Sequence, residues 1–257
     1  EAVSIEEYIK SNQDEIFTII PYELLPPEEE EETSTDGVQL GDINLAYAPK
    51  HLGFQALGNP AEIITKLEKV GYHAGAFIAI QLSLMFQTRS AIVRSFLLEG
   101  PPGCGKSFLA KCVAKLAGAE LMVLTCYPGM NTQFLIEQPS PIGLARAMTG
   151  TSVTDEDLVN LGILSRAFLA SQSKPVVLLV DELDKVDTAV DTFFLGPLND
   201  GIIYTESRPP IVADRDNLVV MFTKNFNREI DDALMRRVNP LTMTYLDTTA
   251  EKRVLKG

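Results

Sequence analysis

Residues 94–107 constrain this chain more than any other stretch. An apolar run, Arg94–Glu99, leads directly into Gly100-Pro101-Pro102-Gly103-Cys104-Gly105-Lys106-Ser107, and a helical pattern continues over Lys106–Leu116. The octet fits Gly-x-x-x-x-Gly-Lys-Ser/Thr in the strand–loop–helix setting that this pattern requires. Each position has a chemical reason. Glycines let backbone N–H groups converge on anionic oxygens with no Cβ in the way. The helix start adds the positive end of a dipole. Lys106 supplies a mobile cation for β- and γ-phosphates, and Ser107 offers a hydroxyl to Mg²⁺. Cys104 occupies a variable position and reads as filler rather than as a redox switch.

A second apolar run, Val176–Val180, ends in Asp181-Glu182. Open α/β sheets bind ligands at the carboxyl ends of their strands. Asp181 is therefore expected in the Mg²⁺ shell, and Glu182 is a candidate general base for a water molecule. Asp184 and Lys185 read as a surface ion pair.

The rest of the chain supplies the frame for these two motifs. Short apolar runs recur at Arg94–Glu99, Glu120–Thr125, Pro175–Val180, Leu218–Thr223 and Leu241–Leu246. Most are continuous rather than alternating, as in strands covered on both faces. Helical patterns separate them, at Lys106–Leu116, Asp155–Ser171, Ala189–Leu198 and Ile230–Arg237. This alternation predicts an α/β three-layer sandwich on a five-stranded, mainly parallel sheet. Upstream, Asn59-Pro60-Ala61-Glu62 is a helix-start signature, with a helix predicted to about Val70, a stop at Gly71 and a second helix over His73–Thr88.

The four motifs together resemble the AAA+ ATPases, over about residues 59–257. GPPGCGKS is similar to that family's phosphate loop, and VDELDK, residues 181–182 included, to its Walker B strand end. Met221-Phe222-Thr223-Lys224-Asn225 resembles the sensor-1 strand, and Asp232–Arg237 the arginine-finger helix. The MoxR-like, dynein-related branch is the nearest likeness. Asp200–Tyr204 to Asn217 is similar to its hairpin before sensor 1, Cys126–Thr154 could hold its helix insertion, and Gly71-Tyr72 falls where its adenine-side segment begins. The resemblance implies ATP and Mg²⁺ as ligands, contacts to nucleotide from residues 100–107 and Tyr72, and metal contacts from Ser107 and Asp181. It implies catalytic roles for Glu182, Asn225, Arg237 and Arg236. An arginine finger acting on a neighbour implies a ring of identical subunits, most often six, that remodels a protein partner. The helical lid would only begin at residues 247–257, so its sensor-2 arginine has no position here.

Composition separates this reading from its rivals. The net charge is −13, but residues 1–36 hold 12 acids against one base and account for −11 of it, leaving −2 over the other 221 residues. Residues 1–36 are expected to be an acidic appendage, with a possible short strand at Ile16–Ile20 and a charged run at Glu28–Glu32. Residues 37–246 would form the nucleotide-binding domain. The near-neutral body argues against a global basic field for nucleic acid, though an AAA+ motor or loader with a local basic groove stays open as the alternative. A GTP-using protein is the weaker alternative. Thr223-Lys224-Asn225-Phe226 approaches the guanine motif, but Phe226 stands where the base-reading Asp belongs. A non-catalytic scaffold is disfavoured by the presence of Lys106, Asp181 and Glu182 together. Three cysteines and no visible signal peptide point to a reducing, cytoplasmic setting, and no apolar stretch is long enough to span a bilayer.

Overall fold

The computed structural model describes residues 53–73, 76–87 and 90–245, together with the backbone of Thr18–Ile19. The strands are β1 (Thr18–Ile19), β2 (Tyr72–His73), β3 (Arg94–Glu99), β4 (Glu120–Thr125), β5 (Glu137–Pro139), β6 (Val159–Leu161), β7 (Val176–Asp181), β8 (Ile202–Ile203), β9 (Ile211–Val212), β10 (Leu218–Lys224) and β11 (Asn239–Thr242). The helices are α1 (Pro60–Lys69), α2 (Ala76–Gln87), α3 (Lys106–Ala117), α4 (Gln133–Ile136), α5 (Pro141–Met148), α6 (Asp155–Leu158), α7 (Ile163–Ser171), α8 (Thr188–Asp200) and α9 (Asp232–Met235).

Five strands form the central sheet in the order β11-β3-β10-β7-β4. All four pairings are parallel. A parallel sheet must be covered on both faces, and successive strand residues point to opposite sides. The two cores obey this. Phe96, Leu98, Val177, Leu179, Val219 and Met221 face α1, α2 and α3, whereas Leu97, Leu178, Val180, Val220 and Phe222 face α7 and α8. The result is the predicted three-layer sandwich. Every residue of β10, the middle strand, is buried. The edge strand β4 is mostly exposed or half-buried.

Three expectations for local structure change. The helix predicted over Asp155–Ser171 is interrupted. Its start is real, because Thr154 and Asp157 form a capping box, but Val159–Leu161 turns into β6 and pairs antiparallel with β5. The chain then re-enters a helix after Gly162. A Cβ at Gly162 would lie 2.3 Å from the Leu135 carbonyl, so glycine is required by close approach. Next, Tyr72–His73 is a strand rather than a helix start and pairs antiparallel with Thr18–Ile19. Finally, the last strand runs Asn239–Thr242 rather than Leu241–Leu246, tolerating Pro240 because β11 is an edge. The predicted hairpin before the sensor strand is present as β8 and β9. The other residues of the expected acidic appendage, with the Glu28–Glu32 run, and residues 247–257, where a lid was expected to begin, lie outside the described residues.

Candidate nucleotide site

Parallel strands deliver β3, β7 and β10 to one sheet edge with their carboxyl ends together, and that edge carries the candidate site. The loop after β3 opens through Gly103 (φ 80°) and Gly105 (φ 86°), both left-handed. A Cβ at Gly103 would have no atom within 4 Å, so the loop presents free backbone on that side. Gly100 is constrained differently. A Cβ there would stand 2.4 Å from the Met243 carbonyl oxygen, because the segment after β11 packs beneath the loop. Tyr245 closes the same contact, its hydroxyl donating to Pro102 O at 2.9 Å.

Lys106 opens α3 and is buried, at 8% exposure. Its ammonium donates to Gly100 O (2.8 Å), Pro101 O (2.8 Å) and Asn225 Oδ1 (3.0 Å). So the phosphate-loop lysine and the sensor asparagine, 119 positions apart, are in direct contact. One residue on, Ser107 Oγ donates to Asp181 Oδ1 at 2.7 Å. Cys104 is buried beside the lysine, and burial raises its thiol pKa. That agrees with filler rather than a redox role, since the thiolate is the reactive form.

Thr223, not among the site residues expected from the sequence, ties the Asp181 carboxylate to the Glu182 backbone. Its hydroxyl donates to Asp181 Oδ1 at 2.5 Å and accepts the Glu182 N–H at 2.9 Å. The signal was available as the one hydroxyl in the otherwise apolar stretch Leu218–Thr223. Glu182 follows β7 in the left-handed region (φ 61°, ψ 45°), which turns its side chain away from Asp181. That side chain is 44% exposed, with Lys185 Nζ 3.9 Å from Oε1. Lys185 therefore pairs with Glu182 rather than with Asp184. Asp184 instead accepts from Asn225 Nδ2 at 3.4 Å and Asn227 Nδ2 at 3.1 Å.

Three expected site residues stand elsewhere. Tyr72 is fully buried and its ring packs 6.2 Å from that of Phe108 on α3. It is core beneath the loop helix, not an open face for a base. Arg236 and Arg237 lie at the opposite strand ends. Ser95, the second residue of β3, donates through Oγ to Arg237 O at 2.8 Å. At about 3.3 Å per residue that level is about 16 Å from Gly100. Arg236 is exposed, while Arg237 Nη1 donates to Ala233 O at 2.7 Å.

Comparison with known proteins agrees with this geometry. A model of the AAA domain, dynein-related subfamily, matches residues 95–238, which carry all four motifs. The chain belongs to that family. Among curated relatives, this AAA domain is 24% identical over 216 residues to a mitochondrial sorting homolog of Caenorhabditis elegans, covering 78% of this chain and 54% of that protein. It is 32% identical over 146 residues to a proteasome-associated ATPase of Arthrobacter sp., covering 56% of this chain and 23% of that one. The chain thus spans between about a quarter and about half of these relatives' lengths. A solved structure from Cytophaga hutchinsonii, described as a candidate ATPase, superposes with a TM-score of 0.53 at 19% identity over 79% of this chain and 55% of that one. At that identity it supports the fold alone. No helix of the described residues is long and apolar enough to cross a membrane.

Proposed function

We propose that this AAA domain binds ATP with Mg²⁺ at the strand-end site and hydrolyses it. The observation that carries the reading is the joint contact of three motifs distant in sequence: Ser107 with Asp181 at 2.7 Å, and Lys106 with Asn225 at 3.0 Å. The donor set suits magnesium. Mg²⁺ takes hard oxygen ligands, usually one or two from protein and the rest from phosphates and water, and Ser107 Oγ with Asp181 Oδ1 would supply them. Among the described residues no cluster of three or more His, Cys, Asp or Glu side chains could hold an ion alone. Bound there, the ion would neutralise charge on the β- and γ-phosphates.

The remaining roles belong to side chains. Lys106 would exchange its carbonyl partners for phosphate oxygens. Glu182 would take a proton from water as that oxygen attacks the γ-phosphorus and ADP leaves with the bridging oxygen. The Asn225 amide would orient the water. Thr223 would keep the Asp181 carboxylate toward the metal while fixing the turn that aims Glu182 elsewhere. ATP is favoured over GTP because Lys224 is internal and Phe226 is 61% exposed with no carboxylate in its place.

Arg237 and Arg236 would act on a second copy's nucleotide, since the sheet separates them from their own loop. A ring of identical subunits, six in the usual family pattern, follows from that role, and remodelling of a protein partner is the work it would do. A competing reading has its own observation: Arg237 bonded to Ala233 O is a cation settled at its own helix end. We place residues 1–36 as an appendage, 37–246 as the nucleotide-binding domain and 247–257 as the opening of a lid. A reducing, cytoplasmic setting is supported by three free, buried cysteines.

Phosphate release measured with ATP and with GTP, with and without Mg²⁺, tests the reading. Mg²⁺-dependent ATP turnover that Lys106→Ala abolishes is expected. Equal turnover in Lys106→Ala would overturn it.

A further inference from the structure

Lys224 stands immediately before Asn225, at the end of the buried middle strand, and is itself only 7% exposed. A buried ammonium needs partners, and this one has two that belong to different parts of the site. In the β3–β10 register Lys224 lies opposite Glu99, and Nζ is 2.7 Å from Glu99 Oε1. Glu99 is the last residue before the phosphate loop, and Gly100 N–H donates to Lys224 O at 3.3 Å. Nζ also donates to Arg228 O at 2.9 Å, folding the loop after β10 back onto the strand. Arg228 in turn grips the fully buried Asp191 of α8 with both Nη atoms, at 2.7 and 2.8 Å, and donates to Leu183 O at 3.0 Å. Leu183 is the residue after Glu182. One line of charge-assisted bonds therefore runs from the phosphate-loop strand, through Lys224 and Arg228, to the Walker B turn. Asn225 directly follows Lys224, at the start of the loop that the Lys224–Arg228 bond closes.

We propose that Lys224 is a positioning residue for the hydrolytic step. Its ammonium, pinned between Glu99 and the Arg228 carbonyl, holds the 225–231 loop so that Asn225 faces Lys106 and a bound γ-phosphate. The proposal rests on the hydrolysis proposed above. Its predicted signature is selective. Nucleotide binding uses the loop backbone and Lys106; the Lys224 ammonium bonds to neither, and the bond from Gly100 N–H goes to the Lys224 main-chain carbonyl, which a side-chain substitution keeps, so affinity should persist. Turnover needs a water placed to within a fraction of an ångström, and a misplacement of about 1 Å can cost about 10²-fold.

The variants are chosen to separate positioning from stability. Lys224→Met removes the ammonium and strands the Glu99 carboxylate, so it should lower both stability and kcat. Glu99→Gln/Lys224→Met removes both charges, and paired removal of a buried ion pair is often nearly neutral for folding. The double variant should recover the melting temperature yet keep kcat down by about tenfold or more, because the Arg228 carbonyl stays unanchored. Lys224→Arg should regain part of kcat. Affinity for a fluorescent ATP analogue should stay within about threefold of wild type throughout, about 0.7 kcal/mol by the tenfold-per-1.4 rule. If the double variant regains kcat together with its melting temperature, Lys224 is a structural strut and the proposal is overturned. If affinity and kcat fall together, the proposal is overturned in favour of a phosphate-binding role. Wild-type protein that does not hydrolyse ATP overturns the proposed function, and this inference with it, and is recognised before any variant is compared. Should Lys224→Met not fold, the double variant and Lys224→Arg still decide the question.

Discussion

Glu182 is the only non-glycine residue with positive φ among the described residues. A left-handed backbone costs an ordinary L-residue about 1–2 kcal/mol, and the cost is borne where the side chain is proposed to act. Replacing it should expose the trade. Glu182→Gly should raise the melting temperature by about 2–4 °C, the shift that about 1 kcal/mol gives in a domain of this size, while removing hydrolysis. A lower melting temperature in that variant would mean that the Glu182 side chain stabilises the fold. At this scale the phosphate loop and the two carboxylates were legible because their chemistry is written in contiguous residues. Thr223, Asp184 and the Lys224–Glu99 pair were not, because their partners come from other strands and only register brings them together. Lys185 was assigned to Asp184 on proximity in sequence, but the left-handed turn at Glu182 gives it Glu182 instead.

Among the elements, β3 and β4 match their predicted limits because continuous apolar runs are closed by Glu99 and by Cys126 onward. The 155–171 segment was misread because three residues, Val159–Leu161, are too few to show a two-residue period inside a helical one. Only the partner strand β5, 20 residues upstream, makes them a strand. This small sheet is fastened to the hairpin loop by Glu137, which accepts the Glu206 N–H at 2.9 Å and the Ser207 hydroxyl, with Arg208 Nε at 3.9 Å. Burial pushes the Glu137 carboxyl up, but the Ser207 and backbone hydrogen bonds and the Arg208 charge outweigh it, and the net shift is downward. A carboxyl held lower in the folded than in the unfolded chain stabilises above its unfolded value, about 4.3, and that contribution fades as pH falls through the lower folded value. Hydrogen exchange of the Glu206 and Ser207 amides should therefore speed up, relative to the core strands, at and below that pH. Glu137→Gln should show the fast exchange already at neutral pH. Uniform protection across the titration in both proteins would show that the carboxylate does not fasten the loop.

For the molecule as a whole, the sheet order puts the nucleotide edge and Arg237 at opposite ends of neighbouring strands. An arginine finger is worth about 10³–10⁵ in rate, so the trans assignment has a large expected effect. Arg237→Ala and Lys106→Ala subunits, each nearly inactive alone, should regain partial activity when mixed, because some interfaces then join an intact loop to an intact finger. Co-assembly shown by crosslinking without regained activity would favour the helix-end reading of Arg237. The domain class was readable from strand–helix alternation alone, whereas the position of Tyr72 was not. A ring near the nucleotide segment and a ring in the core have the same sequence signature, and its burial against Phe108 is fixed by the β1–β2 pairing and α3. Phosphate binding and water activation are assigned to different residues of one site. Glu182→Gln tests this assignment most directly, by titration calorimetry of ATP binding alongside single-turnover hydrolysis. Near-wild-type affinity is expected, with hydrolysis reduced by about 10²-fold or more, the lower range for losing a general base. Normal hydrolysis in Glu182→Gln, or loss of ATP binding, would contradict it.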